Sequence, residues 1–246
     1  IEQVGEEAFA LSDIKHGGTF TVPFNWNQIS GNSFTGRVFD SFSIPYAEEP
    51  FYSHNFGVQT RKLYIERDGN ISWPTADFNT YIEEIINEEH TITTIPLMQD
   101  SEILPKLRRV VANLNPEYGV QLGRIYDEPQ FPVLEEIDLS KSPASYDISI
   151  SGCPAMRTLR LPEKVNILNL SGIGDAEVEF PAYVGLDLEI TNSAFRKIDL
   201  RKIVLKAGDE YDWGSAITIR ECNNLETLYF PEVEYGQLTY EYNHSL

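Results

Sequence analysis

Apolar residues recur through the second half of this chain in a six-residue phrase, L-x-x-L-x-L. It fits Leu134/Ile137/Leu139, Met156/Leu159/Leu161, Phe195/Ile198/Leu200 and Leu225/Leu228/Phe230, with a shortened copy at Ala176/Val178/Phe180. An earlier copy, Leu104 to Val110, aligns with Phe131 to Ile137. Between the phrases lie alternating pairs: Val120/Leu122, Ile148/Ile150, Leu168/Leu170, Leu188/Ile190 and Ile217/Ile219. Alternation puts both members of a pair on one face of a strand. Each coil of roughly 20 residues thus carries two short strands, a length at which solenoids repeat. Coil-to-coil pairing predicts parallel ladders about 4.8 Å apart. The strongest copies, residues 148–162 and 217–231, match at a constant offset of 69, with every apolar position, Cys153/Cys222, Thr158/Thr227 and Pro162/Pro231 in step.

The run Ser151-Gly152-Cys153-Pro154-Ala155-Met156-Arg157-Thr158-Leu159-Arg160-Leu161-Pro162 resembles the BspA-like leucine-rich repeats of bacterial surface proteins, whose consensus is A-F-x-x-C-x-x-L-x-x-[IV]-x-[IL]-P. The run Arg220 to Pro231 matches equally well. Ile150 and Ile219 stand where the family has Phe. Val4-Gly5-Glu6-Glu7-Ala8-Phe9 is similar to the family's I-G-x-x-A-F half-repeat, but Ser12 and Lys15 then depart from it. The resemblance covers roughly residues 100–246 and is irregular at 201–215, read as an inserted loop or one distorted coil. It implies a secreted or cell-surface interaction module that binds an extracellular protein or glycan through the exposed sheet face.

The amino-terminal part shows no convincing period. It is rich in aromatics, among them Phe20, Phe24, Trp26, Phe39, Phe42 and Phe56, punctuated by Gly17-Gly18, Gly31-Asn32 and Gly36. Short strands are expected there, with the aromatics serving as core rather than as a sugar platform. Residues 75–90 predict a helix: Thr75 can cap it, and Phe78, Tyr81, Ile82, Ile85 and Ile86 fall on one face. Such a helix would cover the open apolar end of the first coil. The expected architecture is therefore β-rich α+β. Residues 1–95 form a β-rich domain or cap with a capping helix, and residues 96–246 form an irregular leucine-rich-repeat-like, right-handed solenoid with parallel β ladders. A single solenoid with a divergent cap is the alternative.

Charge narrows the partners. The formal net charge of −19 repels phosphate backbones and bare anionic membranes, so no nucleic acid is expected. No apolar run is long enough for a transmembrane helix. The chain begins at Ile1 rather than Met, which points to removal of a leader and to a secreted or cell-surface protein, lipid-anchored in the outer membrane as one version. A monomer is expected. The two cysteines hold the same place in coils three apart, about 15 Å, too far for a bridge that needs less than about 7 Å. Both are read as buried free thiols.

Catalytic chemistry is hard to find. His16, His54, His90 and His244 sit in no nucleophile or metal context. Asp209-Glu210-Tyr211-Asp212 lacks the spacing and Gly of a calcium loop. The glycosylation triplets at Asn70, Asn169 and Asn243 are weak, Asn169 lying mid-strand. No metal, no cofactor and no enzymatic activity are expected. The outward positions of the main ladder read Asp138, Arg160, Glu179, Asp199 and Tyr229. Arg160, Glu179 and Tyr229, with Thr158, Lys197 and Thr227 beside them, form the candidate binding surface, because Tyr and Arg dominate interface hot spots. A carbohydrate-active enzyme on a β-solenoid and a structural spacer in a surface assembly are the competing readings.

Overall fold

The alternation becomes parallel strands whose apolar residues stack coil upon coil. The computed structural model describes residues 18–21, 37–45, 58–66, 68, 81–92, 105–115, 119–123, 131–143, 146–206, 215–231 and 237–241. Two compact units divide the chain, Ile1–Asn115 and Pro116–Leu246.

In the first unit, five strands pair in chain order and in parallel: β1 (Thr19–Thr21), β2 (Arg37–Pro45), β3 (Val58–Glu66), β4 (Glu84–Ile92) and β5 (Arg109–Leu114). Thr19, Ser41, Lys62, Glu84 and Arg109 share one register row, at spacings of 22, 21, 22 and 25 residues. The coil period therefore runs through this unit as well. Phe42, Leu63, Ile85 and Val110 occupy the adjoining row and are buried, so Phe42 serves as core. On the outer row Glu84 sits between two cations, 2.8 Å from Lys62 Nζ and 3.7 Å from Arg109 Nη1.

The helix expected over 75–90 is not formed where the segment is described. Glu84 to His90 belong to β4, while 75–80 lie outside the described residues. The isoleucines fit both periods, and their branched side chains favour a strand once partners exist. Asn87 tips the balance: it is buried, donates from Nδ2 to the Ile65 carbonyl at 2.9 Å, and accepts from the Asn113 N–H at 3.3 Å. One side chain thus ties three successive strands together.

The second unit carries two strands per coil, as the pattern predicts. One ladder runs β6 (Val120–Leu122), β8 (Ile148–Cys153), β10 (Lys164–Ile173), β12 (Tyr183–Thr191), β15 (Ala216–Arg220) and β17 (Gln237–Glu241). Every pairing in it is parallel. Val120, Ile148, Leu168, Leu188 and Ile217 form one buried column; Leu122, Ile150, Leu170, Ile190 and Ile219 form the next. Burying each such side chain stabilises the fold by about 1.5–3 kcal/mol. The phrase L-x-x-L-x-L supplies the other wall: β7 (Glu136–Asp138), β9 (Thr158–Arg160) and β11 (Glu177–Glu179) form one ladder, β13 (Lys197–Asp199) and β16 (Thr227–Tyr229) another. Leu134, Ile137, Leu139, Met156, Leu159, Leu161, Phe195, Ile198 and Leu200 are all buried. The last copy departs, because Phe230 at its third apolar position is 42% exposed.

The irregular stretch at 201–215 resolves as an insertion into a coil. β14 (Val204–Leu205) pairs with Tyr183–Val184 of β12, and β15 resumes pairing at Asp187. Lys206 and Ser215 close the excursion: the Ser215 N–H donates to the Lys206 carbonyl at 2.9 Å, and the Lys206 N–H to Ser215 Oγ at 2.8 Å. The Asp209–Asp212 run lies outside the described residues.

Cys153 and Cys222 are both buried and free. Cys153 pairs in register with Ile173, and Cys222 follows the Thr191–Arg220 pair by two residues, so three coil steps part them. Burial pushes the Cys153 thiol up to about 12. The folded protein is therefore expected to resist alkylation at pH 8 and to take two labels once unfolded. Labelling in the folded state at the rate of a free peptide thiol would show that the corner is open.

Candidate functional site

Alternation along each short strand turns the predicted residues outward. In β9, Leu159 is buried while Thr158 and Arg160 stand on its outer side. Register places Glu177 beside Thr158 and Glu179 beside Arg160 on one flank, and Glu136 and Asp138 on the other. The Arg160 guanidinium meets three carboxylates: Nη1 lies 3.4 Å from both Glu136 Oε1 and Asp138 Oδ2, and Nε lies 3.2 Å from Glu179 Oε1. These contacts hold Arg160 above its usual range, the Glu179 hydrogen bond contributing most. Burial pushes the Asp138 carboxyl up, but hydrogen bonds from Ser140 and the Arg160 charge outweigh it and leave it below its ordinary value. Arg160 is thus an electrostatic clip across three coils.

Lys197, Thr227 and Tyr229 come together in the other ladder, where Lys197 pairs with Thr227 and Asp199 with Tyr229. Tyr229 is 39% exposed. The Arg201 guanidinium lies 4.2 Å from its ring centroid and Lys197 Nζ 5.6 Å, both within cation–π reach. Asp199 fixes Arg201 in a fork, accepting from Nη2 at 2.6 Å and from Nε at 2.9 Å. The six expected residues thus fall into two clusters, Thr158/Arg160/Glu179 and Lys197/Thr227/Tyr229. Arg201 and Phe230 were absent from the sequence expectation. The i, i+2 spacing of Asp199 and Arg201 was the available signal.

Hydrogen bonding from Arg201 draws the Asp199 carboxyl down to about 2. Its folded value lies below the ordinary carboxylate range, so the pair's stabilisation is present above about pH 4 and is lost as pH falls toward 2. Carboxylate NMR should find the Asp199 midpoint near 2 and return it toward 4 in Arg201→Ala. A wild-type midpoint near 4 would show that the fork does not form in solution.

Among the described residues, no group of His, Cys, Asp and Glu is arranged to hold a metal ion. No helix of the described residues is long and apolar enough to cross a membrane. Fold and site define a parallel β-solenoid with an exposed aromatic and cationic face. No family model, curated protein or solved structure matches the chain.

Proposed function

We propose that the chain is a secreted or cell-surface interaction module of the BspA-like leucine-rich-repeat kind, which binds an extracellular protein or glycan through its outward ladders. The observation that carries this reading is Tyr229. It is exposed beside exposed Phe230, and its ring is held by Arg201 and Lys197. Aromatic and Arg side chains fixed in place before binding supply area and directed bonds at little entropic cost. Arg196, Lys197, Arg201 and Lys202 are all exposed within seven residues of a chain whose net charge is −19. That local reversal of sign favours a partner surface with acidic groups. Thr158, Arg160 and Glu179 extend the surface as a rigid polar flank.

The test is an array of extracellular-matrix proteins and glycans screened with the wild type, followed by Tyr229→Ala and Arg160→Ala on any hit. Tyr229→Ala should weaken binding about tenfold or more with an unchanged melting curve. Full binding by both variants would remove this face from consideration.

A further inference from the structure

The outer face of β8, β10, β12 and β15 carries a groove of about 370 Å³. That lies in the range of small-ligand sites, roughly 300–1,000 Å³. None of the residues discussed for the Tyr229 face lines it. Two polar register rows do: Ser149, Asn169 and Glu189 form one, and Ser171, Thr191 and Arg220 form the next but one. Members of a row recur at the coil spacing of about 4.8 Å. Ser149, Asn169, Ser171 and Thr191 are half-buried, and their side chains make no hydrogen bond among the described residues. Their donors and acceptors therefore stand open to solvent in the groove, where ligand hydroxyls can take the place of water.

Backbone strain marks the same groove. The residue after the second row turns left-handed in four successive coils: Gly152 (φ 69°), Gly172 (φ 64°), Asn192 (φ 47°) and Glu221 (φ 57°). Glycine meets this corner without penalty, and two coils use it. The other two place Asn192 and Glu221 there, and both line the groove. A side chain kept where glycine would be easier points to a role for that side chain.

The chemistry of the lining selects the ligand. Arg220 Nη2 donates to Glu189 Oε1 at 2.8 Å, so Glu221 is left as the excess charge, and an anion is disfavoured. Leu170 is the one apolar residue of the lining, so a lipid tail or aromatic ring has little to fill against. Ser, Thr and Asn side chains both donate and accept, as sugar hydroxyls do. We propose that this groove binds a neutral linear glycan laid across successive coils, with Asn169 and Asn192 giving directed hydrogen bonds. This site is independent of the Tyr229 face.

The test is calorimetric titration of the whole chain with cellohexaose, xylohexaose, mannohexaose and maltohexaose, and with polygalacturonate as an anionic comparator. At least one neutral hexasaccharide should bind. Asn169→Ala and Asn192→Gly should each weaken it about tenfold or more, while Val204→Ala, at an exposed position outside the groove, leaves it unchanged. Asn192→Gly relieves the left-handed strain, so its melting temperature should equal or exceed the wild type and exclude misfolding as the cause. No neutral hexasaccharide bound at about 10 mM, binding of the polyanion alone, or neutral binding indifferent to both variants would overturn the proposal.

Discussion

Leu159→Ala is expected to lose about 2–5 kcal/mol in denaturant melts, whereas its neighbour Arg160→Ala loses far less. Leu159 is fully buried, and its register partners Ile137 and Val178 are fixed by their own strands. The coil cannot collapse into the void, so the cavity term adds to the lost transfer free energy. Arg160 faces outward, and its removal acts through charge. Glu136, Asp138 and Glu179 would then face one another without a cation between them. The Arg160→Ala deficit should therefore be present at neutral pH and shrink in acid, as the Asp138 carboxylate, which the Ser140 hydrogen bonds and the Arg160 charge hold below its ordinary value, becomes protonated. Equal losses for the two variants at all pH values would mean that the strand phase is wrong.

Gly174→Ala should be comparably damaging, for a different reason. A Cβ at Gly174 would lie 2.6 Å from the carbonyl oxygens of both Pro154 and Met156, and 3.1 Å from the Met156 nitrogen. All three are backbone atoms of the neighbouring coil's corner, so relief requires moving that corner. The Gly174 N–H also donates to the Cys153 carbonyl at 3.0 Å, which pins the two coils. A cost of about 1–3 kcal/mol or more is expected from such overpacking. Gly172→Ala is the control. Its Cβ would meet Gly152 at 3.4 Å and 3.6 Å, ordinary contact for the most part, leaving chiefly the left-handed penalty of about 1–2 kcal/mol. Thermal melts of the two variants separate steric clash from backbone strain. A smaller loss at Gly174 than at Gly172 would contradict the corner geometry.

The second unit was largely legible because its apolar positions repeat with fixed phase. Leu134, Leu159 and Leu168 lie in the core where alternation puts them, and the coil stacking follows from it. The first unit was legible as strand-rich but not as stacked coils. Its column Phe42, Leu63, Ile85 and Val110 changes residue type at each step, and no shared Cys or Pro marks the coils. Segment 81–92 misled because Ile82, Ile85 and Ile86 satisfy a helical face, while the decisive partner of Asn87 lies in another strand. At the candidate site, Asp138 and Glu179 flank Arg160 as the ladder order implied. Arg201 over Tyr229 required the register across an insertion, which no spacing rule reveals. The groove was not legible because Ser149, Asn169 and Thr191 are ordinary strand residues until stacking lines them up.

Both candidate surfaces depend on that stacking register, and electron-spin distances test it most directly. Gln121, Ser149, Asn169, Glu189, Thr218 and Thr239 share one register row. The native thiols are buried, so spin labels can be placed at Gln121→Cys paired in turn with Glu189→Cys, Thr218→Cys and Thr239→Cys. Backbone separations of about 14, 19 and 24 Å are expected, a rise of about 4.8 Å per coil. Distances that fail to grow in that order, or that collapse to one value for all three pairs, would contradict the solenoid and both surfaces built on it.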